Sequence, residues 1–317
     1  MSFALAALTA GWCAAAIGML FLSLPAASVA KLLSPRWARA KVLAWAMVAV
    51  VGLALFVVTL LAAPAWAHEP LRYTPHLERP LPHLCFRGAA EGWLGVGLVR
   101  AFSVLTTVLL IAAVLRFAVV SLTDSTTAAG HGSPAPTELT QGVHEGQVLL
   151  NDGNGPLAST RGKLRPATFL SAELARTADG PTLRAILAHE ADHVRWRDPL
   201  LHAAVASLAV AWPVPGLLLL REIRQAAEVA ADAHARTRAG PEACREAIEL
   251  MGPLGAQEDV AERLRALEES DTASPAGALA AGASWLLVGA ALLALYWQPI
   301  VLSLICLFET VAAAWQG

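Results

Sequence analysis

The chain has 317 residues, of which 56% are hydrophobic and only 15% charged. Soluble globular chains carry about 25% charged residues, so the deficit points to membrane spans rather than an ordinary soluble domain. A formal net charge of −2, with no basic and aromatic stretch, argues against direct nucleic-acid binding.

Residues 3–24 carry no charge and are long enough to cross a bilayer. No positive n-region precedes them, so they read as a span rather than a signal peptide. Residues 42–63 form a second span. The "APAWA" at its end mimics a cleavage site but is internal. Residues 94–120 form a third span, with Arg100 and Arg116 near its ends, where long basic side chains can snorkel. Trp12, Trp45, Trp66, Trp93 and Trp297 are expected to anchor span ends at the membrane interface. The loop between spans one and two carries Lys31, Arg36, Arg39 and Lys41 and no acid, which marks it as cytoplasmic. The 64–93 loop balances Arg72, Arg79 and Arg87 against Glu69, Glu78 and Glu91, as an outer loop can. The third span then returns the chain to the cytoplasm.

Residues 123–146 are rich in Ser, Thr, Gly and Pro and read as a linker. Short apolar runs in 147–170, "QVLLNDGNGPLASTRGKLRPATFL", predict two or three short strands. Pro181 opens a helix after Asp179-Gly180. On that helix Leu183, Ile186, Leu187 and Val194 share one face. Glu190 lies within it, His189 and His193 lie on its edge, and Arg184, Asp192 and Arg195 lie on the far side. A solvated glutamate belongs on the charged side, so an inward Glu190 needs a reason.

Residues 200–220 are long and apolar, but Pro213 and Pro215-Gly216 break the run, and a second helix is predicted from near Leu219. Residues 252–275 form a polar connection to a last span at 277–297, after which 298–317 either extends the span or lies at the interface. The four cysteines Cys13, Cys85, Cys244 and Cys306 are scattered, with neither zinc-ribbon nor disulfide-framework spacing.

The chemistry sits in "AHEADHVRW". His189 and His193, four apart on a helix, project the same way and can reach one metal ion. Zinc accepts imidazole nitrogen and keeps a water in a catalytic site. Glu190 would stand beside that water as general base and return the proton to the leaving amine. A third protein ligand is needed, and Glu228 in "RQAAEVAAD" is the best candidate. Asp232, one turn later, can hold a ligand histidine by its outer ring nitrogen. Blander readings stand beside these. The histidines can be a structural pair, and Arg224, Glu228, Asp232 and Arg236 can be a solvated salt-bridge ladder. His68, His76 and His83 read as surface histidines, and the spacing gives His202 and His234 no role. For one metal to join His189 to Glu228, both must lie on one side of the membrane. Segment 200–220 must therefore turn back, as a re-entrant or half-buried hairpin, at Trp212–Gly216.

The stretches "LRAILAHEADHVRWRDPL", "AWPVPGLLLLREIRQAAEVAADAHA" and "PLASTRGKLRPATFLSAEL" resemble the membrane-embedded zinc metallopeptidases of the BlaR/MecR type. A more distant resemblance is to the CAAX-prenyl-protease and heat-shock membrane peptidases. The BlaR/MecR likeness covers roughly residues 95–240. It implies a mainly α, polytopic integral membrane protein with a gluzincin-type core and a small β region. It further implies Zn2+ bound by His189, His193 and Glu228, catalysis by Glu190, support from Asp232, and a winged-helix repressor as substrate. The expected form is a short one, without the extracellular penicillin-binding sensor domain. The expected organisation is three spans in 1–120, a cytoplasmic-face peptidase core in 121–275 and a C-terminal span and tail in 276–317. The competing functions are a non-catalytic zinc-binding signalling or scaffold protein, against which an intact Glu190 speaks, and a transporter, which the few charges within the spans disfavour.

Overall fold

The structure, a computed structural model, describes residues 2–32, 38–68, 93–127, 133–136, 147–151, 158–251 and 257–268, with positions 304, 307, 308, 310, 311 and 315. It is mainly helical, with one small mixed sheet. The expected span 277–297, the residues 69–92 of the outer loop with His76 and His83, and most of the 123–146 linker lie outside the described residues.

Three long helices come first: α1 (Ser2–Leu32), α2 (Ala38–His68) and α3 (Trp93–Thr127). Each contains a stretch long and apolar enough to cross a membrane: Ala4–Leu24, Ala38–Leu61 and Val96–Thr123. Large apolar side chains face outward along them, among them Phe21, Leu61, Val114 and Leu122, all more than half exposed. In water each such exposed side chain would forgo about 1.5–3 kcal/mol of burial; against lipid it does not. Between α1 and α2 glycines face large side chains: Gly11 meets Phe56, Gly18 meets Leu55 and Gly52 meets Met19. A Cβ on Gly52 would lie 2.4 Å from Met19 Cγ, so the glycine is what lets the helices approach. Leu307, Phe308 and Val311 from the end of the chain pack on Ala6, Ala7 and Ala10 of α1.

The sheet follows: β1 (Ser133–Pro134), β2 (Val148–Asn151), β3 (Ala158–Arg161) and β4 (Ala167–Ser171), in the order β1-β2-β4-β3. β2 and β4 are parallel, and the outer pairs are antiparallel. β4 is buried throughout, and β3 lies at one edge of the described sheet. Lys163 Nζ donates to Val120 O at 2.8 Å, so the sheet sits at the C-terminal end of α3.

A short helix α4 (Ala172–Thr177) leads to α5 (Gly180–Trp196), α6 (Asp198–Ala211), α7 (Pro213–Ala239), α8 (Pro241–Met251) and α9 (Gln257–Glu268). α5 begins at an Asp179 cap that accepts from Thr182 N at 2.9 Å, satisfying one of the free first-turn donors. α7 starts earlier than the expected Leu219, at Pro213. Pro213 and Pro215 both fall in its first turn, where the missing N–H costs nothing.

The apolar run therefore bends at Trp212, and α6 and α7 pack side by side. A Cβ on Gly216 would lie 2.4 Å from Ala209 Cα, so the bend needs glycine there. The turn is tied to α1 by a reciprocal pair: Trp12 Nε1 donates to Ala211 O at 2.6 Å, and Trp212 Nε1 donates to Trp12 O at 2.9 Å. Trp212 also meets Phe56 edge to face at 5.8 Å. Phe56 lies about 27 Å along α2 from Ala38, at 1.5 Å per residue. The bend is therefore far down the length of the spans. Trp12 and Trp45 consequently do not serve as interface anchors. Trp12 is held by the turn, and Trp45 is 2% exposed in the core. Their apolar rings fill space between packed helices, which outweighs the interface preference of indole.

Candidate metal centre

His189 and His193 come from α5 and Glu228 from α7, and their ligand atoms lie within 4.8 Å of one another. The helices approach closely because the residues facing across the gap are small. Ala188 and Ala235 are fully buried in one cluster. His189 Nε2 is 3.1 Å from His193 Nε2 and 3.4 Å from Glu228 Oε2, and His193 Nε2 is 3.5 Å from Glu228 Oε1. Donors held at about 2.0–2.1 Å around a tetrahedral ion are separated by about 3.3 Å. The His189–His193 and His189–Glu228 separations lie close to that edge, and His193 faces the other oxygen of the same carboxylate.

The outer nitrogens fix the rings. His189 Nδ1 donates to Asp232 Oδ1 at 2.8 Å, and His193 Nδ1 donates to Asp198 Oδ2 at 2.7 Å. Both Nε2 atoms are thereby turned toward Glu228, the arrangement that orients metal-ligating imidazoles. Asp198 reaches His193 because Arg197, with φ 52°, turns a one-residue corner between α5 and α6. A non-glycine residue in the left-handed region is uncommon, and here it places Asp198 at the start of α6, against the preceding turn.

Two arginines complete the frame. Arg263 of α9 donates to both oxygens of Asp232, at 2.7 and 2.8 Å, and lies 3.3 Å from Glu228 Oε2. Arg39 of α2 bridges Asp192 and Asp198. Glu228 and Asp232 thus pair with His189 and Arg263 rather than standing in a solvated ladder. Asp192, expected on the solvent side of α5, is 4% exposed, because Arg39 supplies a buried partner that helix periodicity does not reveal. Among the described residues, Arg39 pairs with Asp192 and Asp198, and Arg263 pairs with Asp232 and Glu228.

Glu190 is 7% exposed and lines the same cavity, of about 320 Å³, as the two histidines and Glu228. Thr160 of β3 donates to Glu190 Oε2 at 2.6 Å. His202 lines the cavity too, and its Nε2 is buried with no hydrogen-bond partner among the described residues. Sequence reasoning reached neither Asp198, Arg39, Arg263 nor Thr160. The only local sign was an acid directly after the helix, at Asp198-Pro199.

Burial opposes protonation of His189, but the hydrogen bond and charge of Asp232, and then those of Glu228, outweigh it and push its pKa up to about 10. Burial likewise works against ionisation of Glu228, Asp232 and Asp198. The hydrogen bonds from His189 to Glu228, from Arg263 and His189 to Asp232, and from His193 and Arg39 to Asp198 hold all three below the usual carboxylate range. The metal-free protein therefore gains stability from the raised His189. That gain is fully present below the unfolded value of about 6.5 and is lost as pH rises through about 10. A metal ion must displace that proton. Binding of a divalent metal ion at pH 7 should release about one proton from His189, and affinity should rise about tenfold per pH unit across this window. Calorimetric titration in buffers of different ionisation enthalpy measures the release, and a proton count near zero would contradict it.

No protein-family profile, curated protein or solved structure matches the chain. The class defined by fold and site is a mainly helical protein with, among the described residues, three helices long and apolar enough to cross a membrane and a candidate His-His-Glu metal group.

Proposed function

We propose that the protein is a membrane-embedded, zinc-dependent endopeptidase of the BlaR/MecR type. The carrying observation is the grouping of His189, His193 and Glu228 ligand atoms within 4.8 Å of one another, with Glu190 in the same cavity. The donor set of two imidazoles and a carboxylate suits zinc. A bound zinc ion would polarise the scissile carbonyl and acidify water. Glu190 takes the proton from the attacking water and hands it to the leaving amine, and Thr160 holds its carboxylate in place. Strand β3, at the edge of the described sheet and with Ser159 and Thr160 on the cavity wall, offers backbone groups to an extended peptide.

The protein or peptide substrate is read as a cytoplasmic repressor of the winged-helix type, on the strength of the resemblance. The cluster lies at the end of α2 that carries Arg39 and Lys41, and the positive-inside preference supports reading that end as cytoplasmic. The bend at Trp212 then makes α6 and the start of α7 a re-entrant hairpin whose broken backbone is buried in protein.

The test is zinc content and cleavage together. Full-length protein in detergent should hold about one zinc per chain and cut members of a peptide library. A chelator should stop the cutting and added zinc restore it. Protein without stoichiometric zinc, or cleavage indifferent to chelation, would overturn the reading.

A further inference from the structure

The end of α2 touches both halves of the metal cluster. Ala38, fully buried, packs with Val229 and Ala230 of α7, immediately after Glu228. The next residue, Arg39, reaches the other half. Its Nε and Nη2 donate to Asp192 Oδ2 at 3.0 and 2.7 Å, and its Nη1 and Nη2 donate to the two oxygens of Asp198 at 2.7 and 2.8 Å. The Arg39 side chain is 15% exposed, and its guanidinium lies over the ring of Trp196, 5.4 Å away. Asp198 in turn accepts from His193 Nδ1 at 2.7 Å. A side chain from a span thus reaches the ligand nitrogen of the cluster through two hydrogen bonds and one imidazole.

The fork matters because Asp198 has two demands on it. It must present Oδ2 to His193, and it must remain an acceptor while almost wholly buried, at 1% exposure. Arg39 meets both by holding the two carboxylate oxygens at once. A planar guanidinium does this with fixed geometry, whereas an ammonium would not.

We propose that Arg39 is a positioning residue of the metal centre, holding Asp198 and through it the His193 ring, so that metal affinity depends on where α2 sits. The proposal rests on the zinc reading above and extends it to regulation. A shift of α2 that lengthens the Arg39–Asp198 bonds frees the His193 ring and weakens metal binding. A signal acting on the spans can therefore reach the site without touching it.

The test measures zinc affinity of the full-length protein in detergent, by competition with a chromophoric chelator. R39A and R39Q should each raise the zinc Kd about 10–100-fold, the usual effect of losing support for a ligand. D198A should do the same. The double variant R39Q/D198A should bind no more weakly than D198A alone, because both changes cut one path. R39K should recover only part of the loss. R39Q keeps the side-chain stem and serves if R39A fails to fold. Unchanged affinity in the Arg39 variants would overturn the proposal, and so would additive losses in the double variant, which would give Arg39 only a general structural role. A wild-type protein that binds no zinc would instead sink the metal reading itself.

Discussion

Replacing Glu190 with alanine should lower the rate of peptide hydrolysis by about 10²–10⁴-fold, the range lost with a general base, while zinc stays bound at the wild-type stoichiometry. The separation follows from geometry. The candidate metal group is His189, His193 and Glu228, and the two imidazole rings are held by Asp232 and Asp198. None of those bonds passes through Glu190, whose carboxylate is held by Thr160 at 2.6 Å. Thr160→Val should cost less, since it loosens the carboxylate without removing it. Zinc content by mass spectrometry and cleavage of one peptide by the two variants decide the matter. A Glu190→Ala protein that cuts at the wild-type rate would remove Glu190 from the reaction. One that loses zinc as well would make it structural.

The second large effect is expected at Asp232. It is 5% exposed, accepts from His189 at 2.8 Å and takes both arms of Arg263. Asp232→Ala leaves the His189 ring nitrogen without its acceptor and the buried Arg263 guanidinium with Glu228 alone, at 3.3 Å. Breaking one partner out of a buried ion pair costs about 3–5 kcal/mol, so the metal-free protein should unfold at a markedly lower temperature. Zinc affinity should fall as well, by about 10–100-fold. Removing the other partner too should recover much of the stability, because it is the stranded charge that costs most. The double variant Asp232→Ala, Arg263→Met is therefore expected to melt above the single one, yet still bind zinc weakly. If both variants melt together, the loss comes from packing rather than from the charge.

What could be read in the sequence was local. The i, i+4 spacing of His189 with His193, and of Glu228 with Asp232, is a helix-periodic signal, and the fold brings those pairs together. Pro213, Pro215 and Gly216 likewise marked where the apolar run breaks. The rest of the site was out of reach because its partners are distant along the chain. Arg39 meets Asp198 across 159 positions, and Thr160 meets Glu190 across 30. Arginine and threonine are ordinary surface residues, so nothing in their own neighbourhoods announces a buried role. Asp192 shows the limit most plainly. Periodicity can assign a face to it, but only the arrival of Arg39 makes that face an interior. Arg263 stayed hidden for a further reason, because its helix α9 lies in a stretch that reads as a polar connection.

The crossed indoles at the bend also bear on how the chain is made. Trp12 and Ala211 are 199 positions apart, and Trp212 and Trp12 are 200. At a synthesis rate of about 5–20 residues per second, α1 waits roughly 10–40 s before its partner exists. Until then the Trp12 indole N–H lacks its acceptor, Ala211 O. α1 is thus a half-finished surface during insertion. The docking of the hairpin, a contact of very long sequence separation, belongs to the slow, late part of assembly.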